Sequence, residues 1–263
     1  MGRIVTAAPV TPSRYLRGHW FVGNINTLGC ADVSGNEAHL MSTSGGFGVI
    51  DDDGFGQAHW KATQCMISPI MTNDQALDPT QFEITKAGRS FVIHHNHTFV
   101  GGLSGNNYFI SKTNDVAMSV SGCAFGCQTN NFLRAQYRHS GGLAAYTSAA
   151  ALNADQKYAL TWVLDAVTGT LTLWIDKAKD ATLQNKAFVP VPDTTGNFTI
   201  GGLALNNASS AWNSGGTVTG KRESNLQLYM IDGALPANIL DGTLIAWLID
   251  HPNQHLSDAQ GGA

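Results

Sequence analysis

Between Tyr158 and Asp176 the chain reads YALTWVLDAVTGTLTLWID, two alternating runs joined by a short turn. Tyr158, Leu160, Trp162 and Leu164 share one face of the first run, and Ala159, Thr161, Val163 and Asp165 share the other. In the second run Leu171, Leu173 and Ile175 alternate with Thr170, Thr172, Trp174 and Asp176. A period of two, rich in β-branched and aromatic residues, is the mark of strands with one face in a core. Gly169 can take the positive φ that a tight reversal needs. This stretch is a β-hairpin, and the rest of the chain must supply surfaces for it to pack against.

The 263 residues are 43% hydrophobic, too apolar for a disordered chain, but only 13% are charged, about half the usual share. Glu occurs at Glu37, Glu83 and Glu223 alone, while Gly, Thr, Ser and Asn are abundant. That composition disfavours helices and suits strands joined by turns. A net charge of −4 argues against nucleic-acid binding, and no apolar run approaches the roughly 18 residues that a membrane helix needs. Pro9, Pro12 and Arg14 interrupt any secretory leader, so the expectation is an intracellular chain or one carried outside by assembly into a particle.

Short strands are expected at Trp20–Gly23, His39–Met41, Phe47–Ile50, Gln81–Thr85 and Ser90–Val100, then at Asn107–Ser111, Val116–Ser121, Phe132–Tyr137 and Leu143–Thr147. Phe198–Leu205 and Leu226–Asp232 follow the hairpin. Many short strands with Gly-rich turns predict an all-β sandwich or barrel. One helix is expected over Pro236–Ile249, where Leu240, Leu244, Trp247 and Leu248 fall on one stripe. The chain divides into an N-terminal arm (1–20), one β-sandwich domain (21–250) and a loose C-terminal tail (251–263). The arm carries Arg3, Arg14 and Arg17 and no acidic residue, which suits docking on an acidic partner.

Three clusters invite a chemical reading. Asp51, Asp52 and Asp53 crowd three carboxylates that either sit in solvent or hold a cation, for which calcium is the natural choice; their contiguity departs from the EF-hand spacing. His95 and His97 share a strand face and could hold a transition metal; with no third ligand nearby, hydrogen-bonding histidines at the wet edge of an aromatic face are the plainer reading. Cys30, Cys65, Cys123 and Cys127 read first as small buried hydrophobes, with a Cys30–Cys65 or Cys123–Cys127 disulfide left open. For sugar binding the strongest loop is Asn206-Asn207-Ala208-Ser209-Ser210-Ala211-Trp212-Asn213, with Trp212 as a stacking platform and Asn206, Asn207 and Asn213 as hydrogen-bonding groups.

From about Ala154 to Gly242 the chain resembles the laminin-G-like, or concanavalin A-like, lectin/glucanase superfamily. The resemblance rests on Tyr158–Trp162, on Gly169-Thr170-Leu171-Thr172-Leu173-Trp174-Ile175-Asp176, on Phe198-Thr199-Ile200-Gly201-Gly202, and on Leu235-Pro236 opening a helix after a strand. It departs at Asp176-Lys177, where the family has Asp-Gly. It implies a concanavalin A-like jelly-roll sandwich of two antiparallel sheets with one short C-terminal helix.

Glucanases of that superfamily carry E-x-D-x-E or E-x-D-x-x-E on one strand, so that one acid can act as nucleophile and another as proton donor. None of Glu37, Glu83 and Glu223 has Asp two positions on, and no P-loop, nucleophile elbow or zinc-protease motif occurs. The expectation is therefore a non-enzymatic protein. Domains of this kind also occur on phage particles, which implies a virion-surface component (head decoration, tail or fibre) that contacts other virion proteins through its arm and a host surface glycan through its loops. It is expected to be homo-oligomeric and to insert in no membrane. The alternatives are a free-standing extracellular lectin, or a glycoside hydrolase or polysaccharide lyase of the same fold.

Overall fold

The hairpin forms as the alternation dictates. In the computed structural model Leu160 pairs with Ile175, Trp162 with Leu173, and Asp165 with Thr170 across an antiparallel ladder, and Gly169 sits at φ +64 in the turn. The structure describes residues 16–26, 29–32, 40–42, 58–60, 66–67, 83–99, 107–113, 115, 117–194, 196–200, 203–204, 212–213 and 221–251.

The strands are β1 (Leu16–Asn26), β2 (Gly29–Asp32), β3 (Leu40–Ser42), β4 (Ala58–Trp60), β5 (Met66–Ile67), β6 (Arg89–Thr98) and β7 (Asn107–Thr113). Next come β8 (Cys123–Cys127), β9 (Phe132–His139), β10 (Gly142–Ala151), β11 (Lys157–Asp165) and β12 (Thr170–Ile175). Short pieces follow: β13 (Ala178–Lys179), β14 (Lys186–Ala187), β15 (Asn197–Ile200), β16 (Leu203–Ala204) and β17 (Trp212–Asn213). The long β18 (Lys221–Asp232) leads into α1 (Ala237–Leu240) and α2 (Thr243–Asp250).

All described pairings are antiparallel, and the main path runs β10-β9-β8-β7-β15-β5-β3-β2-β1-β18-β6-β11-β12-β13. It doubles back through β5, β3 and β2, so its two limbs lie face to face as the sheets of a sandwich. Rings from opposite limbs meet in the core: Phe125 of β8 lies 5.0 Å from Trp162 of β11 and 6.0 Å from Phe91 of β6, while Trp20 of β1 lies 6.2 Å from Phe198 of β15. On the open side the sheets are stapled by Asp180, whose buried carboxylate accepts the N–H of Ala149 on β10 and those of Thr182 and Leu183. Four residues that the sequence reading gave to the arm and its boundary, Leu16, Arg17, Gly18 and His19, stand in β1, and Trp20 beside them is fully buried. β1 pairs with β18, so the packed domain begins within the segment assigned to the arm.

Other expectations change for local reasons. No strand forms over 117–121, because the Asp115 carboxylate accepts the backbone N–H and hydroxyl of Ser119 and Met118 turns to φ +46. The strand there is β8 instead, whose Ala, Gly and Cys content masked it. Residues 83–85 turn rather than extend, with the Lys86 N–H donating to the Glu83 carbonyl. The single helix is two, α1 and α2. Gly242 breaks it at φ +87, and the Asp241 carboxylate accepts the Thr243 N–H (2.8 Å) to start the second. Cys123 and Cys127 are buried free thiols, pushed up in pKa by desolvation, so no bond joins them. Cys30 stands in β2, while Cys65, the strand at Phe47–Ile50 and the tail beyond His251 lie outside the described residues.

The histidines on β6 are not at a wet edge. His95 and His97 point into the core beside Phe109, whose ring is 4.5 Å from that of His97, and both are essentially unexposed. Among the described residues no three His, Cys, Asp or Glu side chains cluster as metal ligands. His94 faces the opposite side of the sheet, bonded through Nδ1 to the Thr161 hydroxyl at 2.8 Å. Burial, and then the neighbouring His19, lower its pKa from 6.5 to about 4. His95 is likewise held neutral, by burial first and by His97 next.

A buried ion pair ties the 83–85 turn to β7. The Lys112 ammonium lies 3.4 Å from the Glu83 carboxylate and also donates to the Gly196 carbonyl, while Glu83 accepts the Thr85 N–H at 3.0 Å. Removing one partner of such a pair strands a charge in a low-dielectric site. Lys112→Met is therefore expected to lower the unfolding free energy by about 3–5 kcal/mol in a denaturant titration; a loss below about 0.5 kcal/mol would show the pair to be dispensable.

The neutral histidines make the fold acid-sensitive. Between pH 6.5 and about 4 the unfolded chain binds protons that folded His94 does not, so stability is intact above 6.5 and falls as pH drops through that window. The His94 contribution is on the order of 3 kcal/mol at most. Thermal melts at stepped pH should show this decline, and a His94→Gln variant should show a shallower one.

Candidate binding cleft

The outward face of the hairpin carries Val163 and Asp165 on β11 and Thr170, Thr172 and Trp174 on β12, where strand alternation must put them. Most of this outward face is covered. Val92, Val163, Trp174, Tyr229 and Ile231 pack under Leu235, Ile239, Leu244, Ile245 and Leu248 of the C-terminal helices and the segment leading to them. The helices stop short of the hairpin end. There a cleft of about 300 Å³ remains between β11, β12, β13, the 180s loop and α1. That volume is at the lower end of small-molecule sites.

Its floor is Trp174, with Thr172 and Val163 alongside. Gly242 lies flat on the indole: a Cβ there would fall 2.3 Å from the ring, so the glycine is required both by its φ of +87 and by this contact. Lys179 on β13 sits over the same ring, its ammonium 5.0 Å from the centroid, and donates at 3.5 Å to the Leu240 carbonyl of α1. Leu240 is 40% exposed and forms an apolar lip. On the other wall the Thr172 hydroxyl accepts the Asn185 N–H at 3.1 Å, and Asn185 itself turns at φ +53.

Hydroxyls line the turn end. The Asp165 carboxylate accepts the Val167 N–H (3.1 Å) and the Thr168 hydroxyl (2.8 Å), and the Thr168 and Thr170 hydroxyls are 2.7 Å apart. Among the described lining residues Lys179 is the one cation and Asp165 the one carboxylate. Asp241 stands near Lys179, its carboxyl held below the usual carboxylate range by the Thr243 hydroxyl and N–H and then by Lys179. The lining thus offers an aromatic floor, three hydroxyls, an amide and an ammonium. It presents hydrogen-bond donors and acceptors together but no histidine or cysteine.

Trp212 and Asn213 form β17, paired with Leu203 and Ala204 of β16 in a separate two-stranded ladder. Asn206, Asn207 and Asp51, Asp52 and Asp53 lie outside the described residues. The cleft residues were missed although a signal was present: β12 puts a tryptophan in line with two threonines on the face opposite its leucines, an unusual choice for a surface meant only for water.

Gly242→Ala should force the Cβ into the Trp174 ring. The expected result is a loss of about 1–3 kcal/mol in unfolding free energy with a shifted tryptophan emission. A variant as stable as the parent, with unaltered emission, would contradict this packing.

No protein-family model matches the chain, and no curated protein matches it in sequence. Solved structures do match in fold. The chain is similar to the binding domain of Paraclostridial Mosquitocidal Protein 1, at 11% identity and a TM-score of 0.61, over 91% of this chain and 53% of that one. It is also similar to Trypanosoma rangeli sialidase in complex with 2,3-difluoro-KDN, at 16% identity and a TM-score of 0.59, over 94% of this chain and 35% of the sialidase. The sialidase in complex with sialic acid gives a TM-score of 0.56 at 14% identity, over 93% of this chain and 35% of that one. The chain therefore spans about half of the mosquitocidal binding domain and about a third of the sialidase. At these identities the likeness is one of fold: an all-β, concanavalin A-like sandwich of two antiparallel sheets.

Proposed function

We propose that this chain is a non-enzymatic glycan-binding module whose cleft beside the hairpin takes a single sugar unit. The observation that carries the reading is the convergence of Thr168, Thr170, Thr172, Asn185 and Lys179 beside Trp174, whose indole is 8% exposed. A sugar ring presents one apolar face and a periphery of hydroxyls, and an aromatic floor with converging donors and acceptors is the complement of that shape. Lys179 favours sugars that bear a carboxylate, because its ammonium stands in the cleft lining and its hydrogen bond to the Leu240 carbonyl is long. The likeness in fold to a sialidase solved with sialic acid is in keeping with the same class of ligand.

A binding role is favoured over hydrolysis because glycoside cleavage by the usual route needs two carboxyl groups about 5–9.5 Å apart. The cleft lining supplies Asp165 alone, with its oxygens already engaged by Val167 and Thr168. Display on a virion surface accords with the low charge and the basic arm, and those features are its support.

A glycan array that includes sialylated and uronic-acid glycans, run with calcium and with chelator, tests the reading. Saturable binding to an acidic sugar is expected. Lys179→Gln and Thr170→Val should each weaken it about tenfold, the equivalent of 1.4 kcal/mol, without lowering the melting temperature. A blank array, or binding untouched by both variants, would sink the cleft as the site; release of free sugar would replace the lectin reading with an enzymatic one.

A further inference from the structure

We propose that the outer edge of β10 docks a second copy of this chain, the two β10 strands pairing antiparallel about a two-fold axis at Ala145. Among the described residues β10 ends the sheet path and has β9 on one side only. The direction of its backbone groups follows from its neighbour. The Arg138 N–H donates to the Gly122 carbonyl, on the β8 side of β9, so Tyr137 and Ala135 direct theirs toward β10. Their partners Ala144 and Tyr146 bond inward, which leaves the N–H and C=O groups of Leu143, Ala145 and Thr147 pointing outward. The run ends at Ala149, whose N–H on the same side is taken by the Asp180 carboxylate.

Exposed edges in natural sheets are blunted by lysine, proline or a bulge. Gly142–Thr147 reads GLAAYT, with no charge and no proline, and the irregularity in the ladder comes only after Thr147. Leu143 is 47% exposed on this edge, whereas Ala144 and Tyr146 pack toward the core.

The edge is complementary to itself. With the axis at Ala145, Leu143 of one copy lies opposite Thr147 of the other, and Ala145 opposite its own equivalent. All six outward backbone groups are then paired, and the side chain at the axis is small enough for close approach. Such a contact is isologous and closes at two copies. The nearest charges on that face, Arg134 and Arg138, sit one strand back on β9. In the dimer they are three strand spacings, about 14 Å, from their counterparts, beyond the screening length at ordinary salt.

The test is sedimentation equilibrium of the full chain over micromolar to submillimolar concentrations. The parent is expected to move reversibly from monomer to dimer. Ala145→Pro removes the N–H at the axis, a substitution that an edge strand tolerates, and Ala145→Lys places two like charges there. Both should weaken the dimer at least tenfold while unfolding midpoint and glycan binding stay as in the parent. Val167→Lys, at another site that is 69% exposed, should leave it unchanged. A parent monomeric at every concentration overturns the proposal, as does a dimer that survives both substitutions. If the proline variant fails to fold, the lysine variant decides.

Discussion

Everything in this molecule depends on the two-sidedness of one hairpin. β11 and β12 send Leu160, Trp162, Leu164, Leu171 and Leu173 into the space between the sheets, where Trp162 meets Phe125 of the facing limb. The same strands send Val163 and Trp174 the other way, under the C-terminal helices. A one-residue slip of register would exchange these sets and lose both cores at once. The hairpin is therefore held by two independent hydrophobic surfaces, and the cleft lies where the second of them runs out.

The hairpin was legible because its alternation is strict and its two faces differ in kind. The long strands around β6, β7, β9, β10 and β18 were legible for the same reason, and the expected antiparallel sandwich follows from them. What the sequence did not show is instructive. β8 is Cys-Ala-Phe-Gly-Cys, buried on both faces, so it has no polar side to alternate with. His95 and His97 look polar on paper, yet the core takes them as neutral rings against Phe109. The stripe of Leu240, Leu244, Trp247 and Leu248 is real, but a periodicity count does not see that Gly242 must bend away to fit a tryptophan sixty-eight positions earlier. The cleft was hidden for a related reason: its walls come from β11, β12, the 180s loop and α1, and only folding brings them together.

Sparse charge shapes the interior as well as the surface. Each buried carboxylate among the described residues is met by fixed donors: Asp165 by the Val167 N–H and Thr168 hydroxyl, Asp180 by three N–H groups, Asp193 by the Gly196 N–H, and Glu83 by Thr85 and Lys112. In two of these cases the carboxylate fastens a loop to another part of the fold. Asp180 joins the two ends of the sheet path, and Glu83 joins its turn to β7. Carboxylates here do the work that longer loops or disulfides do in other sandwiches, and they do so by satisfying backbone groups that would otherwise be stranded.

The cap over Trp174 belongs to the last elements of the described chain, while its floor belongs to the middle. During synthesis the sheets can close around Trp162 as soon as β18 is available, and only then can α1 and Gly242 settle on the indole. The site is thus finished after the scaffold. A chain ending at β18 would carry a bare tryptophan on the outer face of its sandwich, an apolar surface open to non-specific association.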